Sequence, residues 1–236
     1  MLAQTVAREP NNVEALHRLG LCCARRGDKP RAVELYRQAC SLAPANPRLL
    51  CDLARTLRDL GCFSAAIESY RRAIACGRAD MALLVELGCT QTIAGKPGHA
   101  LDTFARALSI DPACAAAWSQ RGNALCALGR HDEALFCHQR ATGLAPGDAF
   151  AWLHQGVLLL QLGRPADARL SLARAAAHKP DLAAAWMRCG EALAALGRHD
   201  LAIASFDRAI ALDVRYAQAW LGRARAQHQI LRREPG

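Results

Sequence analysis

Several kinds of segment are missing from this sequence. None of its apolar runs approaches about 18 residues, so nothing predicts a membrane-spanning helix. The start of the chain lacks the basic, apolar and small-residue order of a secretion signal. Lysine is scarce, at 3 against 27 arginines, and no basic run alternates with aromatic residues. We therefore predict neither membrane binding nor a nucleic-acid partner, despite a net charge of +9.

Motifs for catalysis and metal binding are also absent. The sequence contains no nucleophile elbow, no glycine-rich phosphate loop and no HExxH motif. Its eleven cysteines form no CxxC pair and show no metal-ligand spacing. We predict no catalytic residue, no metal and no cofactor. The odd number of cysteines indicates free thiols that act as small buried hydrophobes, which suits a reducing compartment and favours a soluble, cytoplasmic protein.

What the sequence does contain is one stretch repeated every 34 residues. Large and small residues alternate at fixed places in it, as in helix–turn–helix repeats. Its landmarks in residues 115–148 are Trp118, Gly122, Leu125, Gly129, Ala134, Ala141 and Pro146. They recur as Trp152, Gly156, Leu159, Gly163, Ala168, Ala175 and Pro180, and as Trp186, Gly190, Leu193, Gly197, Ala202 and Ala209.

This pattern resembles the tetratricopeptide repeat (TPR) family over nearly the whole chain. The resemblance implies an all-α fold, a right-handed superhelical solenoid of antiparallel helix pairs. We predict six full repeats plus a C-terminal capping helix at 217–233 and a tail at 234–236. Residues 1–12 match the second helix of a partial repeat, which indicates either a piece of a longer protein or a short cap. The full repeats are 13–46, 47–80, 81–114, 115–148, 149–182 and 183–216.

Local signals predict where the helices begin, end and pack. Six glycines at the repeat spacing should end the first helices, and Asn12, Asn46, Asp80 and Asp148 should cap the next ones. Glycine or alanine at the position of Gly122 should let the two helices of a repeat approach closely. The four tryptophans should lie in the core, and His138 should replace a core aromatic residue instead of forming a thiol–imidazole pair with Cys137 or Cys126.

The family resemblance implies that the first helices line a concave groove that binds an extended peptide or a partner helix. In repeat five this face carries an apolar stripe that the core does not require, formed by Phe150, Leu153, Val157 and Leu160. We predict that it binds a partner, the alternative being cover by a neighbouring coil or by self-association. The predicted groove residues are Arg48, Arg55, Arg58, Val85, Cys89, Gln120, Asn123, Phe150, Leu153, His154, Val157, Leu160 and Arg188.

Arg48, Arg55 and Arg58, tempered by Asp52 and Asp59, give the groove a charged N-terminal half. Together with the apolar stripe they favour a peptide with acidic residues at one end and apolar ones at the other. Two subtypes of the family fit poorly. Only Asn123 matches a carboxylate clamp, and the asparagine ladder of sugar-transferase arms is replaced by Arg18, Asp52, Glu86, Gln120, His154 and Arg188.

We therefore predict a non-enzymatic scaffold or adaptor for protein–protein interaction. The alternative is a targeting or regulatory arm of a larger glycosyltransferase or sulfotransferase.

Overall fold

Helices provide all the regular structure in the described part of the chain. The computed structural model describes residues 2–77 and 80–232, which form fourteen α-helices and no strand. The all-α fold predicted from the repeat is confirmed. The tail predicted at residues 234–236 lies outside the described residues. Within the described ranges, no helix combines the length and apolar character needed to cross a membrane.

The chain forms two compact units, Met1–Pro112 and Ala113–Gly236. In the first unit, a short α1 packs on α2, and the following helices pair as α2 with α3, α4 with α5 and α6 with α7. The helices of this unit are α1 Leu2–Arg8, α2 Val13–Arg25, α3 Lys29–Leu42, α4 Pro47–Asp59, α5 Phe63–Ala75, α6 Met81–Ile93 and α7 Pro97–Ile110.

The second unit repeats the same pairing and ends with a helix that packs on α13 and α12. Its helices are α8 Ala115–Ala127, α9 His131–Leu144, α10 Ala149–Gln161, α11 Pro165–His178, α12 Ala183–Ala195, α13 His199–Leu212 and α14 Ala217–Leu231.

Short polar side chains begin several first helices as predicted. The side-chain oxygens of Asn12 and Asp80 accept backbone N–H groups three residues on, at 3.0 and 2.8 Å. Asn46 and Asp148 accept from the backbone N–H two residues on, at 3.1 and 2.9 Å. Each bond satisfies a donor that the first turn of a helix leaves free. All six glycines predicted to end the first helices have positive φ, from 68° to 87°.

Five of the six helix pairs are held by a glycine that lies against a large side chain of the second helix, and α4 has Ala54 at that position. A Cβ atom added to Gly190 would lie 2.6 Å from Cε1 of Phe206, and one added to Gly20 would meet Tyr36 at the same distance. Phe206 is confined on its other side too, because a Cβ atom on Gly222 of α14 would lie 2.6 Å from its Cζ. The predicted close approach of the two helices is thus confirmed at these positions.

His138 occupies this same packing position in residues 115–148. Its side chain is 1% exposed, and a Cβ atom on Gly122 would lie 2.6 Å from its Cε1. The imidazole ring of His154 lies beside it, with ring centroids 5.9 Å apart. Burial, and to a smaller extent the neighbouring His154, lower the pKa of His138 to about 4. His138 is therefore a neutral core residue at pH 7.

The structure corrects the prediction that all four tryptophans belong to the core. Trp152 is buried, but Trp220 is 44% exposed, and Trp118 and Trp186 are half-buried. The indole N–H groups of Trp152, Trp186 and Trp220 donate to the backbone oxygen six residues earlier, at 2.7, 2.9 and 2.9 Å. Tryptophan at this position therefore ties the preceding loop to its helix, which the leucines of the first unit cannot do.

The cysteines occupy more varied places than the sequence suggested. All eleven are free, but only Cys40, Cys51, Cys137 and Cys189 are buried. Cys62 and Cys76 are exposed, and the other five lie between these extremes. The prediction of small buried hydrophobes therefore holds for the four buried thiols and is wrong for the two exposed ones.

We expect Gly190→Ala to lower the free energy of unfolding by about 1–3 kcal/mol, because Phe206 cannot move away from the added methyl group. Gly143→Ala is the matched control, since Gly143 lies within α9 and has no atom within 4 Å of an added Cβ. That change should stabilise the protein by about 0.5–1 kcal/mol through helix propensity. Urea unfolding followed by circular dichroism measures both, and equal effects of the two substitutions would contradict this account of the packing.

We expect stability to fall between about pH 6.5 and pH 4 because of His138. The pKa of His138 is about 4 in the folded protein, against about 6.5 for an ordinary histidine, so the unfolded chain binds the proton first as the pH falls. Between pH 7 and pH 4.5 this group should remove roughly 2–3 kcal/mol of stability. His138→Phe should abolish this pH-dependent loss of stability. The difference between the urea midpoints of the wild type and the variant at each pH measures the loss. Identical pH dependence in both proteins would show that His138 does not titrate in this way.

Candidate partner-binding site

The first helices of the first unit carry a network of charged side chains. His17 Nε2 lies 2.8 Å from Asp52 Oδ2, and Asp52 Oδ1 accepts from Arg55 at 3.4 Å. The Arg55 guanidinium makes a two-pronged contact with Glu86, with its shortest bonds at 2.7 and 2.8 Å. The Tyr70 hydroxyl donates to the same carboxylate at 3.0 Å. The network joins α2, α4, α5 and α6.

This network changes the expected charge of the predicted groove residues. Glu86 neutralises Arg55, and its bonds and charge raise the pKa of the guanidinium further. Arg58 lies 3.7 Å from Asp59. Arg48 is exposed and has no carboxylate within 4 Å among the described residues. Arg55 therefore pairs with Glu86 in addition to Asp52, the partner expected from the sequence.

Val85 and Cys89, the other predicted residues of this unit, are half-buried on α6. Burial raises the pKa of the Cys89 thiol to about 11, so it is protonated at neutral pH. Neither side chain belongs to the lining of the two cavities of this unit that measure about 320 and 440 Å³. They contribute only small apolar surface there.

In the second unit, five of the predicted residues line one cavity of about 290 Å³, here called the central cavity. They come from three successive first helices, α8, α10 and α12. They are Asn123, Leu153, His154, Val157 and Arg188. Cys126, His138, Leu158, Gln161, Ala184 and Tyr216 complete the lining.

The apolar stripe predicted in α10 is not one continuous surface. Leu153 is only 9% exposed, whereas Phe150 is 48% exposed, and Val157 and Leu160 are half-buried. Leu153 and Val157 line the central cavity, but Phe150 and Leu160 do not. The Lys179 ammonium lies 4.9 Å from the centroid of the Phe150 ring. The stripe is thus reduced to one buried and one half-buried side chain in the cavity wall.

Hydrogen bonds hold the polar lining in place. Asn123 donates to Gln120, the remaining predicted residue of α8, at 3.3 Å. Ser119 Oγ lies 3.2 Å from His154 Nδ1 and joins α8 to α10. Arg188 donates to Glu191 one turn later at 2.8 Å. Asn123, His154 and Arg188 therefore each have a polar partner beside the cavity.

Arg188 is the only charged side chain in the lining of the central cavity. Burial lowers the pKa of both His138 and His154, so both rings are neutral at pH 7. Burial also raises the pKa of the Cys126 thiol. The cavity is therefore mostly apolar, with one cation and several neutral hydrogen-bonding groups at its walls.

Sequence reasoning missed Tyr216 and Gln161 as lining residues. Tyr216 stands immediately before α14, at the position where earlier repeats have the short caps Asn12, Asn46 and Asp148. The change from a small polar residue to tyrosine was the available signal. Gln161 follows Val157 by one helical turn, so the same face of α10 could have been extended to it.

Models of the tetratricopeptide repeat match residues 13–46 and 47–75, and four overlapping segments at 94–149, 136–182, 153–213 and 190–230. No curated protein matches the sequence.

Solved structures with the same fold are more distant in sequence. A tetratricopeptide repeat protein from Parabacteroides merdae has 18% identity and a TM-score of 0.77, over 96% of this chain and 90% of that one. Pseudomonas aeruginosa pilF has 17% identity and a TM-score of 0.71, over 93% and 99% of the two chains. YrrB, described as having an unusual peptide-binding site, has 21% identity and a TM-score of 0.59, over 78% and 95%.

At these identities the solved structures establish the fold alone, whereas the repeat models cover more than half of the sequence. Together with the regularly spaced helix pairs and their glycine contacts, they establish that this chain belongs to the tetratricopeptide repeat family.

Proposed function

We propose that this protein is a non-enzymatic scaffold that holds a segment of a partner protein on the first helices of its second unit. The observation that carries the proposal is the central cavity, where apolar walls surround a single cation. Its volume of about 290 Å³ is at the lower end of the range for ligand pockets, roughly 300–1,000 Å³. A space of this size suits an inserted side chain better than a whole cofactor.

The walls of the cavity favour an apolar side chain of the partner. Leu153, Val157, Leu158 and Ala184 supply aliphatic surface from α10 and α12. An aliphatic or aromatic residue inserted among them would lose its contact with water, which contributes about 25 cal/mol per Å² of buried apolar area. One such anchor typically dominates the affinity of a small interface.

The polar lining favours a peptide segment as the bearer of that side chain. Asn123 and Gln161 each present a donor and an acceptor, and Tyr216 adds a hydroxyl group. An extended peptide offers alternating N–H and C=O groups, which amide side chains can match. The same fold carries a peptide-binding site in YrrB, as its description states, so the proposal assigns this fold a use that it has elsewhere.

Acid–base or nucleophilic catalysis is disfavoured by the protonation states in the cavity. The Cys126 thiol has a raised pKa, so little thiolate is present at neutral pH. His138 has a pKa of about 4 and is too weak a base to activate a nucleophile at pH 7. Ser119 approaches His154 but is buried and does not line the cavity, so a substrate there would not reach its hydroxyl.

We expect a photo-crosslinking amino acid at Gln161 to capture the partner covalently in an extract of the native cell. Gln161 is an exposed rim residue of the cavity. Gln139, exposed on α9, is the matched control and should give no specific product. Mass spectrometry of the crosslinked band identifies both the partner and the segment bound. The same product from both positions would contradict binding at this cavity.

Val157→Arg should then reduce the Gln161 crosslink by at least roughly tenfold, because the new side chain occupies the cavity mouth with a charge. Leu170→Arg is the control for an added charge, since Leu170 is 53% exposed on α11. Leu153 is unsuitable for this substitution because it is buried. Circular dichroism and size-exclusion chromatography verify that both variants keep the fold and the oligomeric state of the parent. An undiminished crosslink in folded Val157→Arg would refute the proposed function.

A further inference from the structure

A second and larger cavity lies beside the last helix. It measures about 570 Å³ and is bordered by α12, α13 and α14; we call it the C-terminal cavity. Phe206, Leu221, Gly222, Ala194 and Ala226 form its apolar part. Arg188, Glu191, His199, Gln218, Arg225 and Gln229 form its polar part. Arg188 also lines the central cavity, so the two cavities share one wall.

Gly222 explains why this space is open. The three preceding first helices of the unit carry Gln120, His154 and Arg188 at the equivalent position, 34 residues apart. Gly222 has no side chain to extend into the groove, and its close contact with Phe206 leaves no room for one without a shift of α14. Leu221, the residue before it, is 51% exposed at the cavity. Phe206 and Ala226 are buried behind it, so Leu221 is the large apolar side chain of the lining that a partner can reach.

The charge of the C-terminal cavity is positive. Arg188 and Arg225 line it against a single carboxylate, Glu191. Glu191 accepts from Arg188, whereas Arg225 has no carboxylate within 4 Å among the described residues. Arg223, two residues before Arg225 on α14, is already paired with Asp207 at 2.7 Å and lies outside the lining. Arg225 is therefore the cation that a ligand can pair with directly.

Arg188 can also be released from its own pair. Its contact with Glu191 is made within one helix, and the two side chains are 35% and 40% exposed. Exposed pairs of this kind stabilise a protein by little, about 0–1 kcal/mol. The Arg55–Glu86 pair of the first unit differs, because it is two-pronged, joins two helices and includes Tyr70. An acidic ligand therefore meets less competition at Arg188 than at Arg55.

We propose that the C-terminal cavity binds an acidic side chain of the partner segment together with a large apolar neighbour. The carboxylate pairs with Arg225 and Arg188, and the apolar side chain covers Leu221. The inference rests on the proposed function and extends it: one segment fills both cavities across Arg188, with its acidic end at α14. This is opposite to the sequence-based expectation, which placed the acidic end at Arg48, Arg55 and Arg58.

The test uses a phage-displayed library of random 12-residue peptides selected on the full chain. Selected peptides should be enriched in Asp or Glu within a few residues of Leu, Ile or Phe. Fluorescence anisotropy then measures the Kd of the most enriched peptide. Arg225→Gln should weaken it roughly 10-fold or more, as expected for a lost charge-assisted hydrogen bond, and added salt should reduce that difference. Arg208→Gln is the control, since Arg208 is an exposed cation of α13 outside both cavities.

The outcomes separate this inference from the function on which it rests. The acidic site would be overturned if the selected peptides lack acidic residues, or if they bind wild type and Arg225→Gln with equal affinity. In either case, weaker binding to Val157→Arg would still support the scaffold function. Weakening by Arg225→Gln but not by Val157→Arg would support the acidic site and count against the central cavity. If Arg208→Gln and Arg225→Gln weaken peptide binding equally, the effect comes from the net charge of the protein and not from this cavity, and the inference is overturned. A selection that enriches no peptide at all counts against both, and a concentration-dependent dimer lost in Arg225→Gln would assign the cavity to self-association instead.

Discussion

The contact between a glycine on one helix and a large side chain on the next is the constraint on which the helix pairs depend. At five positions an added Cβ atom would approach the facing side chain to 2.5–2.6 Å, so the two helices lie as close as backbone and ring allow. Such close packing leaves few alternative arrangements, because even one methylene is felt in a core of native density. The large side chain is tyrosine, phenylalanine, histidine or leucine in different pairs.

The sequence predicted the helices and their pairing because those features repeat. Landmarks such as Gly122 and Gly129 recur at a fixed spacing, and each has a local physical cause. The face of the first helices does not repeat, and there the prediction was weaker. Asp52 was expected to temper the charge of Arg55, yet the closer partner of Arg55 is Glu86, 31 residues later. Whether a charge is open depends on neighbours in the adjacent repeat, and the 34-residue register does not specify side-chain direction.

A second limit concerns cavities. Leu153 and Val157 were correctly placed on the first-helix face, but only the structure shows that Phe150 and Leu160 lie outside the cavity. Tyr216 reaches it from the loop before α14, and Gly222 opens the neighbouring space by having no side chain at all. Cavities form where side chains are missing or turned away, and such absences leave only a faint pattern in a sequence. Two polar contacts nonetheless follow the repeat spacing. His17 contacts Asp52 and Ser119 contacts His154, and the residues of each pair are 35 positions apart in neighbouring repeats.

The placement of the tryptophans has a spectroscopic consequence. All four are in the second unit, at 118, 152, 186 and 220, whereas the buried aromatic residues of the first unit include Tyr36, Tyr70 and Phe104 but no tryptophan. Tryptophan fluorescence, excited at wavelengths that tyrosine does not absorb, therefore reports only on residues 113–236. Far-ultraviolet circular dichroism reports on the helices of both units. A difference between the unfolding midpoints from fluorescence and from circular dichroism would measure how independently the two units unfold.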